Sequence, residues 1–197
     1  MSDNEDTLSK IGEIHEYAFS LAEFITGWNR AERVLHLILN ELIGGTAETF
    51  IVIVEMGNRS VVNALLSYAA DKMNEVEKRA INHLMEYFNR ILGHRNYLVH
   101  GLHLLAYDNK TNQAVGEVYA VSSKSRLILH HEVISKTDLE EKRVMLTNLS
   151  SALTWMHIYV GNRRSQTTQK NLRLEEFQQD FPLPDALVRP RSFPLST

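Results

Sequence analysis

Between Thr7 and Ile43 the apolar residues recur in alternating steps of three and four: Ile11, Ile14, Ala18, Leu21, Ile25, Trp28, Leu35, Leu39 and Leu42. A helix turns by about 100° per residue, so this rhythm lines them up along one face. It commits the N-terminal part of the chain to one long amphipathic helix, which other helices must cover. Gly44-Gly45 ends it. One position breaks the stripe, because Glu32 stands where an apolar residue belongs. A carboxylate there is costly to bury without a partner. Glu32 therefore either lines a site, or sits at the edge of the stripe beside a surface arginine.

The rest of the chain reads mainly as helix. Residues 47–55 form a short apolar run whose β-branched residues also allow a strand, although the polar flanks favour a helix. Arg59 to Ala70 carries Val62, Leu65, Leu66 and Ala69 on its core side. Met73 to Leu92 does the same with Met73, Val76, Ala80, Leu84, Tyr87 and Ile91. A further helical stretch is expected from Asn96 to Leu105. Residues 106–134 change character: turn chemistry at Asp108-Asn109-Lys110-Thr111-Asn112 lies between β-type runs, as in a β-hairpin or small meander. Thr137-Asp138 caps a last helix with Leu139, Leu146, Leu149, Leu153, Met156 and Val160 on one face. The expected fold class is mainly all-α, a helical bundle with a small β-hairpin insertion at about 106–134, before the last core helix. Residues 1–164 form the domain, and 165–197 a polar to proline-rich extension: Arg163 to Phe181 is polar and partly helical, and 182–197 is extended or disordered in isolation.

Composition narrows the function classes. A chain of 197 residues with 44% hydrophobic and 23% charged residues suits one globular domain with an extension. No apolar run approaches the roughly 20 residues of a membrane span. The acidic, polar start MSDNEDTLSK is not a secretory signal. With no cysteine, disulfides and thiolate metal sites are excluded. These features lead us to expect a cytoplasmic protein with no membrane partner and no cofactor. A net charge of −3 argues against a general nucleic-acid coating protein. Between Arg79 and His103, however, three arginines and four histidines face only one acid, Glu86. That is a local surplus friendly to phosphate, or else a solvated helix face.

Within that segment lies Arg95-Asn96-Tyr97-Leu98-Val99-His100-Gly101. Arginine is always charged and its fork grips phosphate oxygens. Histidine titrates near neutrality and can carry a proton. Positions five apart on a regular helix point roughly 140° away from each other. Arg95 and His100 can therefore converge if Arg95 lies in an irregular first turn, for which Gly93 speaks, or if two copies of the chain build the site. Asn96 and His100 are four apart and share a face. Asn96 could then orient the imidazole or hold a phosphate oxygen. Glu32, His94 and His103 are candidates to line the site, Glu32 as a partner for Arg95. His100 and His103 alone make a weak metal pair, so no metal is expected. Nucleophile-elbow and phosphate-loop glycine patterns are both missing.

The run RNYLVHG resembles the Arg-x4–6-His signature of the HEPN superfamily of helical ribonucleases and nucleotide-binding proteins, in the form RNxxVHG. The resemblance implies a four-to-five-helix bundle and a homodimer with two motifs facing each other across a composite active site. It implies a metal-independent endoribonuclease that cleaves RNA through its own 2′-hydroxyl, with Arg95, His100 and Asn96 as the working residues. A toxin or phage-defence role, with an antitoxin-type neutralising partner, is implied by resemblance alone. The alternative is a non-catalytic module of the same build that binds a nucleotide or RNA, or serves as a dimeric interaction protein.

Overall fold

The computed structural model describes residues 2–108, 110–111, 113–122, 128–165, 173–184 and 191–194. The protein is mostly helical with one small antiparallel sheet. In chain order the elements are α1 (Ser2–Leu42), α2 (Ala47–Val54), α3 (Asn58–Lys72), α4 (Glu75–His100), β1 (Leu102–Asp108), β2 (Gln113–Ser122), β3 (Ile128–Ser135), α5 (Lys136–Ser165), a 3-10 turn (Leu174–Glu176), α6 (Phe177–Asp180) and β4 (Arg191–Pro194). The described residues fall into two compact units. One holds α1 up to Thr26, residues 91–144 and β4; the other holds residues 27–90 and 145–185, of which 145–165 and 173–184 are described.

The second unit is the larger helical core. Trp28, Leu35, Ile38 and Leu39 of α1, Leu65 of α3, Leu84 and Phe88 of α4, and Leu149, Leu153 and Met156 of α5 are all buried. The Trp28 and Phe88 rings lie 4.8 Å apart. Asn74 starts α4 as a capping box: its Oδ1 accepts from the amides of Val76 and Glu77, both at 3.0 Å, and its own amide donates to Glu77 Oε2 at 3.0 Å. The other Glu77 oxygen accepts from Tyr159 Oη at 2.9 Å and pairs with Arg163 Nε at 3.0 Å. A buried carboxylate is tolerable there because it is fully engaged. Part of the extension folds back within this unit. Phe177 is buried against Trp155 and Phe181, and the carbonyl of Phe181 meets His83 Nε2 at 2.7 Å.

In the first unit the strands pair in the order β1-β2-β3-β4, all antiparallel. Val118 and Ile134 fill the covered face, whereas Leu102, Leu104 and Val133 stay exposed. Gly116 passes directly over Tyr17 of α1; a Cβ there would lie 2.1 Å from the Tyr17 hydroxyl. Ser135 and Asp138 cap α5 reciprocally, Ser135 donating through its amide and hydroxyl to Asp138 Oδ2 and its Oγ accepting from the Asp138 amide. The helix thus starts at Lys136, with Ser135 rather than the expected Thr137 capping it together with Asp138. Asp108 holds the predicted turn, accepting from the Lys110 amide at 2.9 Å and the Thr111 hydroxyl at 3.0 Å.

Three expectations are corrected. Gly93 does not interrupt the helix: α4 runs unbroken to His100, because Phe88, Ile91, His94 and Leu98 bury one continuous stripe across it. That burial outweighs the roughly 1 kcal/mol that a mid-helix glycine costs. The segment 96–105 is not a helix throughout, since Gly101 stops α4 and Leu102 enters β1, whose backbone pairs with β2. Of the hairpin or small meander expected at 106–134 the meander forms, β1-β2-β3, but it begins at Leu102, and β4 adds a fourth strand. Among the described residues no helix is long and apolar enough to cross a membrane.

Candidate functional site

The end of α4 carries the motif. Arg95 Nη1 donates to Asn96 Oδ1 at 3.1 Å and reaches His100 Nε2 at 3.2 Å. Arginine has donors only, so Nε2 must present its lone pair, and the neutral ring then keeps its proton on Nδ1. The contact closes within one chain and along a regular helix, so neither an irregular turn nor a second copy is needed to bring the two heads together. A long guanidinium arm can span the angular gap when its target is the last residue of the helix. Asn96 and His100 are exposed, and Arg95 is half-buried. Among the described residues no carboxylate pairs with Arg95, whose Nε is buried and unpartnered. The cluster therefore offers a cation with no carboxylate partner beside an exposed imidazole whose Nε2 lone pair it holds.

The surroundings hold it in place. Tyr97 Oη donates to the carbonyl of Val118 at 3.0 Å, fastening the last turn of α4 to β2. Gly101 is wedged so tightly that a Cβ there would lie 2.4 Å from Val118 Cγ1 and 2.8 Å from the Tyr97 carbonyl oxygen. The amide of Gly101 donates to that same carbonyl at 3.1 Å. His103, expected near the site, stands on β1 and engages the carbonyl of Leu98 through Nε2. It is occupied by the backbone. Among the described residues no group of three or more His, Asp or Glu is placed to hold a metal.

His94 is only 7% exposed and neither ring nitrogen has a hydrogen-bond partner. Burial, helped by the positive charge of Lys142, pushes its pKa down to about 4. It is packing rather than an accessible lining. Because the unfolded ring takes a proton near pH 6.5 and the folded one does not, protonation favours unfolding. Stability is thus expected to fall as pH drops from about 6.5 to about 4. Thermal midpoints across that range should decline less steeply for His94→Phe than for the parent. Parallel declines would remove His94 as a cause.

Glu32 lies in the other unit, where it lines a cavity with Asn29, Arg33 and His36. The phosphate-friendly surplus is also smaller than the count of charges suggests, since Arg90 is paired with Glu86 at 2.6 Å and donates to the carbonyl of Pro184. Sequence reading missed a cluster on the sheet. Tyr119 Oη donates to Glu117 Oε2 at 2.7 Å, the same oxygen lies 3.8 Å from His131 Nε2, and the Tyr119 and His131 rings stack at 4.6 Å. Leu102, two residues after His100, pairs with Tyr119. Alternation along β2 puts Glu117 and Tyr119 on one face, but only strand register brings His131 of β3 opposite Tyr119. Comparison with family models, curated proteins and solved structures returned no match.

Proposed function

We propose that this chain is a metal-independent endoribonuclease of the HEPN type. The observation that carries the reading is the 3.2 Å approach of an unpaired guanidinium to an exposed imidazole that presents a lone pair. In the reaction the Arg95 guanidinium turns from His100 to the phosphate, the lone pair so freed on His100 Nε2 takes the proton of a ribose 2′-hydroxyl, the resulting oxygen attacks phosphorus, and the P–O5′ bond breaks. Arg95 neutralises charge growing on the non-bridging oxygens, and Asn96 keeps the guanidinium aimed. The leaving 5′ oxygen takes a proton from an imidazolium: that of His100 itself or, in a homodimer with two facing motifs, that of the second copy. The products are a 2′,3′-cyclic phosphate and a 5′-hydroxyl. RNA is the substrate, and a cytoplasmic toxin or defence role with an antitoxin-type partner belongs to the same proposal.

Purified protein incubated with RNA in EDTA should generate fragments ending in cyclic phosphate. Binding of RNA with no turnover would instead assign the non-catalytic module. A further expectation concerns the wedge behind the motif. Gly101→Ala must displace either a buried valine or a backbone carbonyl, and so shifts His100. A misplacement of about 1 Å can cost roughly 100-fold in rate. Cleavage should fall by that order while stability drops by only about 1–3 kcal/mol. Undiminished cleavage would show that the His100 position is not set by this contact.

A further inference from the structure

The helical unit carries a second polar cluster, away from the motif in sequence and not used by the proposed reaction. A cavity of about 430 Å³ opens between α1 and α2, within the size range of small-molecule sites. Four residues of α1 supply its polar side, Asn29, Glu32, Arg33 and His36. Phe50 and Val54 of α2, with Met56 just beyond, supply the apolar side. His36 is 6% exposed, and its Nε2 has no hydrogen-bond partner. Burial lowers its pKa, opposed by the neighbouring charge of Glu32, so at neutral pH the ring is uncharged. Glu32 stands one turn before it on the same face, half-buried, and neither Glu32 nor Arg33 forms an ion pair with a described residue.

The polar groups are graded by depth. A neutral imidazole lies deepest, a carboxylate stands half-buried and a guanidinium is exposed. Buried polar groups left unpaired cost free energy, which a matching ligand would recover. A purely apolar occupant would leave Glu32 and His36 unsatisfied. A metal ion finds only one carboxylate and one imidazole there, and among the described residues no larger ligating group exists. A flat heterocycle rich in N–H donors, carrying an anion at its outer end, satisfies every group. Guanine fits best, because its adjacent N1–H and N2–H donors match the two oxygens of one carboxylate, whereas adenine offers one donor and one acceptor on that edge.

We infer that the cavity between α1 and α2 is a guanine-nucleotide site, with Glu32 and His36 holding the base, Phe50 covering its face and Arg33 meeting the phosphate. The site is independent of the ribonuclease reading and can stand if that reading fails. Isothermal titration of the full chain with GMP, AMP and guanosine tests it. GMP should bind once per chain and at least about tenfold more tightly than AMP, the discrimination expected of a bidentate pair. Glu32→Gln should cost GMP a similar factor. Arg33→Ala should weaken GMP but leave guanosine unchanged. His100→Ala and Arg95→Ala should bind GMP as the parent does. Should Glu32→Gln not fold, Val54→Trp, at a position 45% exposed, plugs the cavity mouth and should abolish binding. Absence of GMP binding at millimolar concentration would overturn the assignment. So would equal affinity for AMP, or an isotherm lost in Arg95→Ala yet kept in Glu32→Gln, which would place the nucleotide at the motif.

Discussion

Arg95→Ala and His100→Ala should each reduce RNA cleavage in EDTA by about 100-fold or more, with little change in the thermal midpoint. The size follows from the roles. A positioned general base contributes roughly 10²–10⁴-fold, and removing one donor to a developing oxyanion costs about 10²–10³-fold. The small effect on stability follows from exposure: His100 and Asn96 face solvent, and the Arg95 guanidinium bonds only within the cluster. Arg95→Lys separates charge from geometry. It keeps the cation but loses the fork that touches Asn96 and His100 together, so most of the activity should still be lost. Asn96→Ala should do less damage, because Asn96 positions Arg95 rather than meeting the phosphate. Initial rates on a labelled RNA, with product ends identified as cyclic phosphate, supply the measurement. Variants that all cleave at the parental rate would trace the activity to a contaminant or another site, and the proposal would be withdrawn.

The largest stability effect is expected at Trp28. Its side chain is fully buried, its ring lies 4.8 Å from that of Phe88, and its Nε1 has no hydrogen-bond partner. Its contribution is therefore apolar burial and ring packing, with nothing returned by the N–H group. Trp28→Ala leaves a cavity in the helical unit and should cost about 3–5 kcal/mol. In a chain of this size that lowers the thermal midpoint by roughly 10 °C or more. Trp28→Phe should cost far less, since it keeps an aromatic ring and removes the unpaired donor. Calorimetry of both variants tests this: equal losses would mean that an aromatic ring at this position is not what stabilises the helical unit.

The stripe of α5 was legible residue by residue. Leu139, Leu146, Leu149, Leu153, Met156 and Val160 are all buried, while Val144 and Ile158, apolar residues off that stripe, stay exposed. The first half of α1 was misread by a rotation. Trp28 is buried as expected, but before it Tyr17, Ser20 and Phe24 point inward, while Ile11 and Ala18 are exposed and Ile14 and Leu21 only half-buried. Ser20 interrupts the inward face in the sequence, so the apolar stripe beside it is the more regular of the two. Strand β4 could not be read, because four residues containing a proline acquire strand geometry only from pairing with distant β3. At the motif, the residue types and the Asn96 contact were legible. The closure of Arg95 on His100 within one chain was not, since it depends on side-chain reach at a helix end rather than on angular spacing. Glu32 was singled out as out of place, but its companion His36, one turn later, was not. Its signal was the same as that of Glu32, a polar residue in an otherwise apolar stripe.

The short ladder that joins β4 to β3 also bears on how the sheet breathes. It spans four residue pairs, against seven between β1 and β2 and eight between β2 and β3. Local opening is cheapest where fewest bonds must break together, so β4 should detach in fluctuations that leave the other three strands intact. Each such event bares the amides and carbonyls of β3, and for its duration the protein has a sticky margin onto which another extended chain can zip.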